Sequence, residues 1–192
     1  MRGDDSVKLF VGLGNPDKEY EKTRHNIGFM YLDFLFGTDK FKLNKKFNAY
    51  EYETTYDGEK ILFIKPLSYM NLSGEVVNKY MKFYKIDVDD LVLIQDDLDM
   101  PVGSYKLLYN HGDGGHNGIK NIILNIKSKK FLRLKIGISK NKEIDTKDYV
   151  LGKFSDEEMK VINNTFVLLK SFVDDYVILN KDLLMGKYNT KK

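Results

Sequence analysis

Alternating and continuous apolar positions divide this chain into strand-like and helix-like segments. Strands are predicted at Val7–Gly12, Phe47–Tyr56, Lys60–Ile64, Leu91–Gln95, Ser104–Tyr109 and Phe131–Ile138. The Phe47–Tyr56 segment mixes aromatics with threonine, as a strand with one wet face does. Helical spacing runs through Ile27–Phe36 and through Glu75–Tyr84, where Val76, Val77, Tyr80, Met81 and Tyr84 recur on one side. It is clearest in Gly118–Lys127, with Ile119, Ile122, Ile123 and Ile126 at i, i+3, i+4 and i+7. A last long helix is predicted from the capping-box pattern Ser155-Asp-Glu-Glu158, carrying Met159, Ile162, Phe166, Leu169, Phe172, Val173 and Tyr176 inward. Strands interleaved with helices indicate an α/β class: a single domain over residues 1–192, with a twisted mixed β-sheet flanked by helices on both faces.

Composition narrows the class further. A chain of 192 residues, 42% hydrophobic and 31% charged, buries a full core and does not read as disordered. There is no run of eighteen apolar residues, so no membrane span is expected. Met1–Phe10 lacks the apolar core of a secretory signal, and cysteine is absent, which fits a reducing, cytoplasmic setting. An organellar setting after loss of a targeting segment stays open. Net charge is only +3, yet of 31 basic residues just Arg2, Arg24 and Arg133 are arginine. A lysine-rich surface suits a phosphate backbone, with plain lysine bias as the competing reading.

In open α/β sheets, sites collect beyond the carboxyl ends of strands. Polar segments follow predicted strands at 15–25, 68–73, 96–99, 110–117 and 139–145, and the first four hold most of the chemistry. Gly12-Leu-Gly14 begins like a dinucleotide loop, but Asp17 stands where the third glycine belongs and Asn15-Pro16 forces a turn, which argues against a nicotinamide or flavin site. His25, between Arg24 and Asn26, is a candidate general base if a carboxylate orients it. Asp96 follows an apolar run, where a carboxylate is costly unless a donor such as an imidazole N–H meets it. Asp97 and Asp99 read equally as turn residues. The three aspartates raise a divalent-metal alternative, but no H-x-H, H-E-x-x-H or EF-hand spacing accompanies them. His111–Gly118, rich in glycine, opens a helix and could receive an anion or a polar substrate group; a flexible loop capped by Asn117 is the plain alternative. Tyr69, Met70 and Asn71 fall in a turn before a helix, where Asn71 either caps or pairs with a peptide main chain.

Together the stretches Gly12-Leu-Gly-Asn-Pro16, Glu19-Tyr20, Thr23-Arg-His-Asn26, Met70-Asn-Leu-Ser-Gly74, Asp96-Asp-Leu-Asp99 with Pro101-Val-Gly103, Gly114-Gly-His-Asn-Gly118 and Phe131-Leu-Arg-Leu-Lys-Ile-Gly137 resemble the bacterial-type peptidyl-tRNA hydrolase family, in order from about Val7 to Phe154. The resemblance implies a monomeric esterase without metal or cofactor and without an obligate protein partner or membrane. It would cleave the ester joining a peptide, or an N-blocked amino acid, to the terminal ribose of tRNA, recycling tRNA from aborted translation. It implies His25 as the base that activates water and Asp96 as the acceptor of its other ring N–H, a hydrolytic triad's logic without the serine. Asn15 corresponds to the residue that helps separate blocked from free aminoacyl-tRNA. Tyr20, Tyr69, Asn71 and Asn117 correspond to positions associated with the tRNA or its peptide. Met70 is expected to pack against the substrate, and His116, Lys106 and Lys135 complete the expected binding set. Amides of Asn71 or Asn117 are candidates for stabilising the oxyanion.

The chain also departs from that pattern. Leu108 stands where the family often has a basic residue of a 5′-phosphate clamp, leaving Lys106. Lys135 replaces a common arginine and loses its bidentate fork. His111 and Asp113 differ from the usual loop residues. Two readings compete with the hydrolase: a metal-dependent phosphoesterase built on His25, His116 and the Asp96–Asp99 cluster, and an RNA-binding module without catalysis.

Overall fold

The computed structural model describes residues 6–189, so Met1–Asp5, with Arg2, lie outside the described residues. Seven strands form one mixed sheet: β1 (Val7–Gly12), β2 (Lys42–Asn44), β3 (Ala49–Tyr56), β4 (Glu59–Pro66), β5 (Leu91–Asp97), β6 (Tyr105–Tyr109) and β7 (Leu132–Gly137). Their spatial order is β2-β3-β4-β1-β5-β7-β6. The four inner strands β4, β1, β5 and β7 run parallel, while β3 pairs antiparallel with β4 and β6 with β7. Seven α-helices accompany them: α1 (Ile27–Phe36), α2 (Ser73–Phe83), α3 (Asn117–Ile126), α4 (Thr146–Val150), α5 (Asp156–Leu168), α6 (Phe172–Ile178) and α7 (Lys181–Asn189).

Strand alternation sorts the core into two layers. Phe10, Phe63, Val92, Ile94, Leu132 and Leu134 face one side, packed with Ile27, Tyr31 and Leu32 of α1 and with Ile162, Phe166 and Phe172 of the C-terminal helices. Leu9, Val11, Leu62, Ile64, Leu91 and Leu93 face the other, against Val76, Val77 and Tyr80 of α2 and Ile119 and Ile122 of α3. The sheet is thus covered on both faces, which is why its inner strands are apolar without alternation.

Gly28 lets the start of α1 sit directly on the sheet. A side chain there would come within 2.4 Å of the Leu13 nitrogen and 2.6 Å of the Ile94 oxygen. His25 and Asn26, one turn earlier, are therefore brought to the carboxyl ends of β1 and β5.

The structure revises several boundaries. The third strand begins at Ala49 rather than Phe47, because Asn48 takes a left-handed φ of 58° and turns Phe47 onto Tyr80, ring centroids 4.6 Å apart. The strand predicted to stop at Gln95 continues through Asp96 and Asp97, which pair with Ile136 and Gly137. The predicted last helix is two helices, α5 and α6, and a further helix, α7, follows them. After α5 the chain turns at Lys170, so that Leu169, Phe172 and Val173 all reach the core, with Phe172 edge-on to Phe10 at 6.2 Å. The short β2 and α4 carry no periodic signal and were not anticipated. Finally, β6 runs against its neighbour, so the segment after it leaves from the opposite end of the sheet. Residues 110–116 must climb back along the sheet to reach the amino end of α3.

Candidate active site

Asp96 is the penultimate residue of the inner strand β5 and is 2% exposed. His25 lies in the tight turn Arg24–Asn26 ahead of α1. Arg24 ties that turn to the C-terminal part of the fold. Its backbone N–H donates to the Gly152 oxygen at 2.9 Å, and its guanidinium donates to Glu158 at 3.1 Å and to the Tyr149 carbonyl at 3.2 Å. The same group stacks over the Tyr149 ring at 4.3 Å. This anchoring aims His25 across the end of β1 at Asp96.

The His25 Nδ1 stands 2.8 Å from Asp96 Oδ2 and 2.9 Å from Oδ1. His116 Nε2 stands 2.9 Å from the same Oδ1. Burial pushes the Asp96 carboxyl up, but the two imidazoles outweigh it and hold the group well below the usual carboxylate range. An ionised carboxylate only accepts, so both facing ring nitrogens carry hydrogen and the other nitrogen of His25 keeps its lone pair. Burial pulls His25 down, yet the charge of Asp96 and the hydrogen bond to it leave the imidazole above its ordinary 6.5.

Asn15 is buried beside this pair and fixed from three directions. Its backbone N–H donates to Asn26 Oδ1 at 2.8 Å, and Asn26 Nδ2 donates back to its carbonyl at 3.0 Å. The Met70 N–H donates to Asn15 Oδ1 at 2.8 Å. That bond settles the orientation of the Asn15 amide: the oxygen is occupied, and the NH2 is the group left for the cavity.

These residues surround a cavity of about 880 Å³. Of the sequence-predicted site residues it is lined by Asn15, Tyr20, His25, Tyr69, Met70, Asn71, Asp96, His116, Asn117 and Lys135; Lys106 is not among them. Lys106 is exposed on β6 directly opposite Lys135, and so projects from the same face of the sheet. Lys135 itself is ion-paired with Asp97. Tyr69 is half-exposed at the mouth, its hydroxyl donating to Asp17 at 2.9 Å.

Two capping assignments change. His116, not Asn117, caps α3: its Nδ1 accepts from the Ile119 N–H at 3.3 Å, and Asn117 is the first helical residue. Asn71 does not cap α2 either. It lies exposed in the turn Met70–Leu72, and the Ser73 hydroxyl closes that turn on the Met70 carbonyl at 2.8 Å. His116, expected on the substrate, instead has both ring nitrogens engaged within the protein.

Two residues without an assigned role prove to shape the site. Asn26 holds the Asn15 backbone, and its only signal was its place beside His25. Arg133 is 2% exposed; its Nε donates to Gln95 at 2.7 Å and its Nη1 to the Gly112 and His111 carbonyls at 2.6 and 3.2 Å. It thereby holds the returning 110–116 segment against the sheet. An arginine in the apolar run of β7 was the available clue.

Among the described residues, His25, Asp96 and His116 are the one trio of metal-binding type, with ligand atoms within 4.8 Å of one another. Their contacts at 2.8–2.9 Å are hydrogen bonds, and each uses the ring proton that a metal would have to displace. The arrangement suits proton transfer: an oriented imidazole, a buried carboxylate that stabilises its charged form, and amide groups around open space.

An α/β sheet carrying an aspartate-oriented histidine at the carboxyl ends of its strands is the framework of an enzyme that works by general-base chemistry. The family model "Peptidyl-tRNA hydrolase" matches residues 9–192. The peptidyl-tRNA hydrolase of Bacillus cereus strain Q1 is 43% identical over 188 residues, 96% of this chain and all of the relative. That of Phytoplasma mali is 42% identical over 174 residues, 89% of this chain and 98% of the relative. A crystal structure of the Acinetobacter baumannii peptidyl-tRNA hydrolase superposes with a TM-score of 0.88 at 33% identity, covering 100% of this chain and 98% of that one. The chain belongs to the peptidyl-tRNA hydrolase family. The phosphoesterase and the non-catalytic RNA-binding readings have no support in these matches.

Proposed function

We propose that the chain hydrolyses the ester between a peptide, or an N-blocked amino acid, and the 3′-terminal ribose of tRNA, with His25 as general base and no bound metal. The observation that carries the mechanism is the Asp96 carboxylate on His25 Nδ1, which leaves Nε2 unprotonated beside the cavity. Nε2 takes a proton from water as the oxygen attacks the ester carbonyl. Asp96 stabilises the resulting imidazolium, and the proton then passes to the departing ribose oxygen. Asn71 and Asn117 line the same cavity as amide donors for the tetrahedral oxyanion.

Asn15 supplies the discrimination. With its oxygen held by Met70, it offers only N–H to the substrate. An N–H suits the carbonyl of an N-acyl group, whereas a free α-ammonium brings donors and positive charge against it. Tyr20, Tyr69 and Met70 flank the peptide side of the cavity. Lys135, and Lys106 on the adjoining strand, serve the tRNA phosphates, with Lys106 outside the cavity where backbone rather than peptide passes. The chain acts as one domain and as a monomer, without an obligate protein partner, in the cytoplasm. No helix among the described residues is long and apolar enough to cross a membrane.

The test is hydrolysis of an N-acetylated aminoacyl-tRNA in excess EDTA, comparing wild type with His25→Ala. Cleavage by wild type and near-complete loss in the variant are expected. Full activity in His25→Ala would refute the assigned base, and activity restored only by a divalent ion would refute the metal-free mechanism.

A further inference from the structure

His116 has no atom left for a substrate to hydrogen-bond. Its Nδ1 is taken by the Ile119 N–H and its Nε2 by Asp96, and its side chain is 8% exposed. The Asp96 oxygen it meets is also one of the two that His25 meets. One buried carboxylate therefore receives two imidazole N–H groups, one from the catalytic turn and one from the cap of α3. The cap fixes the His116 tautomer: Nδ1 accepts, so Nε2 must donate.

We propose that His116 is a positioning residue for the reaction, resting on the hydrolase reading above: it orients the Asp96 carboxylate and shares its charge, and so sets how strongly that carboxylate holds the His25 imidazolium. A donor on Oδ1 spreads the negative charge of Asp96 over two partners. Without it, Asp96 pulls harder on the His25 proton, and the imidazole gives up that proton at higher pH. A base near neutrality is the more efficient catalyst, so the second imidazole keeps His25 within working range.

The other titratable groups facing this pair, Lys147 and Tyr20 excepted, have partners of their own. Arg24, next to His25, binds Glu158; Lys135 binds Asp97; Lys140 of the loop after β7 binds Asp99; and Tyr69 binds Asp17. Arg133 is held by Gln95 and the loop carbonyls, and Asp113 and Asp145 accept the backbone N–H groups of Gly115 and Lys147. Lys147 and Tyr20 complete the rim.

Two substitutions separate the roles of His116. His116→Asn keeps a good helix cap but is too short to reach Asp96, whereas His116→Gln is long enough to donate to Asp96 while losing the ring. The measurement is the NMR titration of the His25 ring in the substrate-free, full-length protein, which has only three histidines to assign. In His116→Asn the His25 midpoint should rise by about one pH unit, since a hydrogen bond to a charged group is of that order. The acid limb of kcat/KM should move with it while KM at the plateau changes little. His116→Gln should return both toward wild type. In an Asp96→Asn background, His116→Asn should shift nothing further. An unmoved His25 midpoint in His116→Asn, or a shift that persists without the Asp96 carboxylate, would overturn the proposal. A raised KM with an unmoved limb would make His116 a substrate contact. Because the titration needs no substrate, it decides this point even if the ester is not cleaved.

Discussion

Replacing Asp96 with asparagine tests the site at its most loaded atom. The carboxylate accepts at 2.8 and 2.9 Å from His25 and at 2.9 Å from His116, in a position 2% exposed. An asparagine offers one oxygen in place of two and no charge. If that oxygen takes Oδ1's place and serves both imidazoles, the amide NH2 is driven against the remaining side of the His25 ring. If the amide donates to His25 Nδ1 instead, the ring proton must move to Nε2, and the base is lost. Either way the imidazolium formed during water attack loses its buried counter-charge. Removing one partner of a buried pair costs about 3–5 kcal/mol. At 1.36 kcal/mol per decade that is roughly a 10²- to 10⁴-fold fall in the chemical step. Single-turnover hydrolysis of N-acetyl-aminoacyl-tRNA, with enzyme in excess, reads that step without product release. A fall of less than about tenfold, or one confined to binding, would refute the assignment of Asp96 to His25.

Three other outcomes follow from the same structure. Because the His25 pKa is raised above 6.5 and the free base is the active form, kcat/KM should rise with pH through a midpoint above 6.5; a limb centred below 6 would contradict the Asp96 contact. The pair also links stability to pH. Asp96, depressed from 3.8, contributes above that value and loses its contribution as acid protonates it, whereas His25, raised from 6.5, contributes below 6.5 and loses it as pH rises through the folded value. Denaturant unfolding should therefore show the pair's contribution greatest between these values and absent in Asp96→Asn. Separately, Asp17 holds φ 70° and ψ 141°, a region that favours glycine, and is compensated by an exposed bond from Tyr69. Asp17→Gly should release about 1 kcal/mol of strain after that bond and the added chain entropy are subtracted. A melting point raised by about 2–4 °C is expected for a chain this long, and a lowered one would show that the turn is not strained.

Local pattern was enough for much of the frame. The Ile27–Phe36 helix, the isoleucine stripe of α3 and the capping box at Ser155 follow from side-chain spacing and nearest-neighbour hydrogen bonds. The continuous apolar run of β5 likewise announced a strand buried on both faces, and an aspartate at its end announced the need for a donor. Asp96 was legible because a carboxylate after an apolar run is costly to bury without a partner, His25 because an imidazole is the natural general base, and Asn15 only through the resemblance of its motif to the family.

Other features depended on where distant segments meet. Periodicity reports which side of an element faces inward, but not the direction in which a strand pairs, so the reversal of β6 and the returning 110–116 segment were not legible. The break after Leu168 has no glycine or proline to mark it; it follows from the need of Phe172 to reach Phe10. The second imidazole on Asp96 comes from a loop twenty residues away along the chain, held by an arginine that closes on two carbonyls. The sequence by itself determined which residues could carry charge, protons and hydrogen bonds. Only the tertiary structure decided which of them share one carboxylate, because that contact is made by the docking of α1 and α3 on the sheet and not by any local preference.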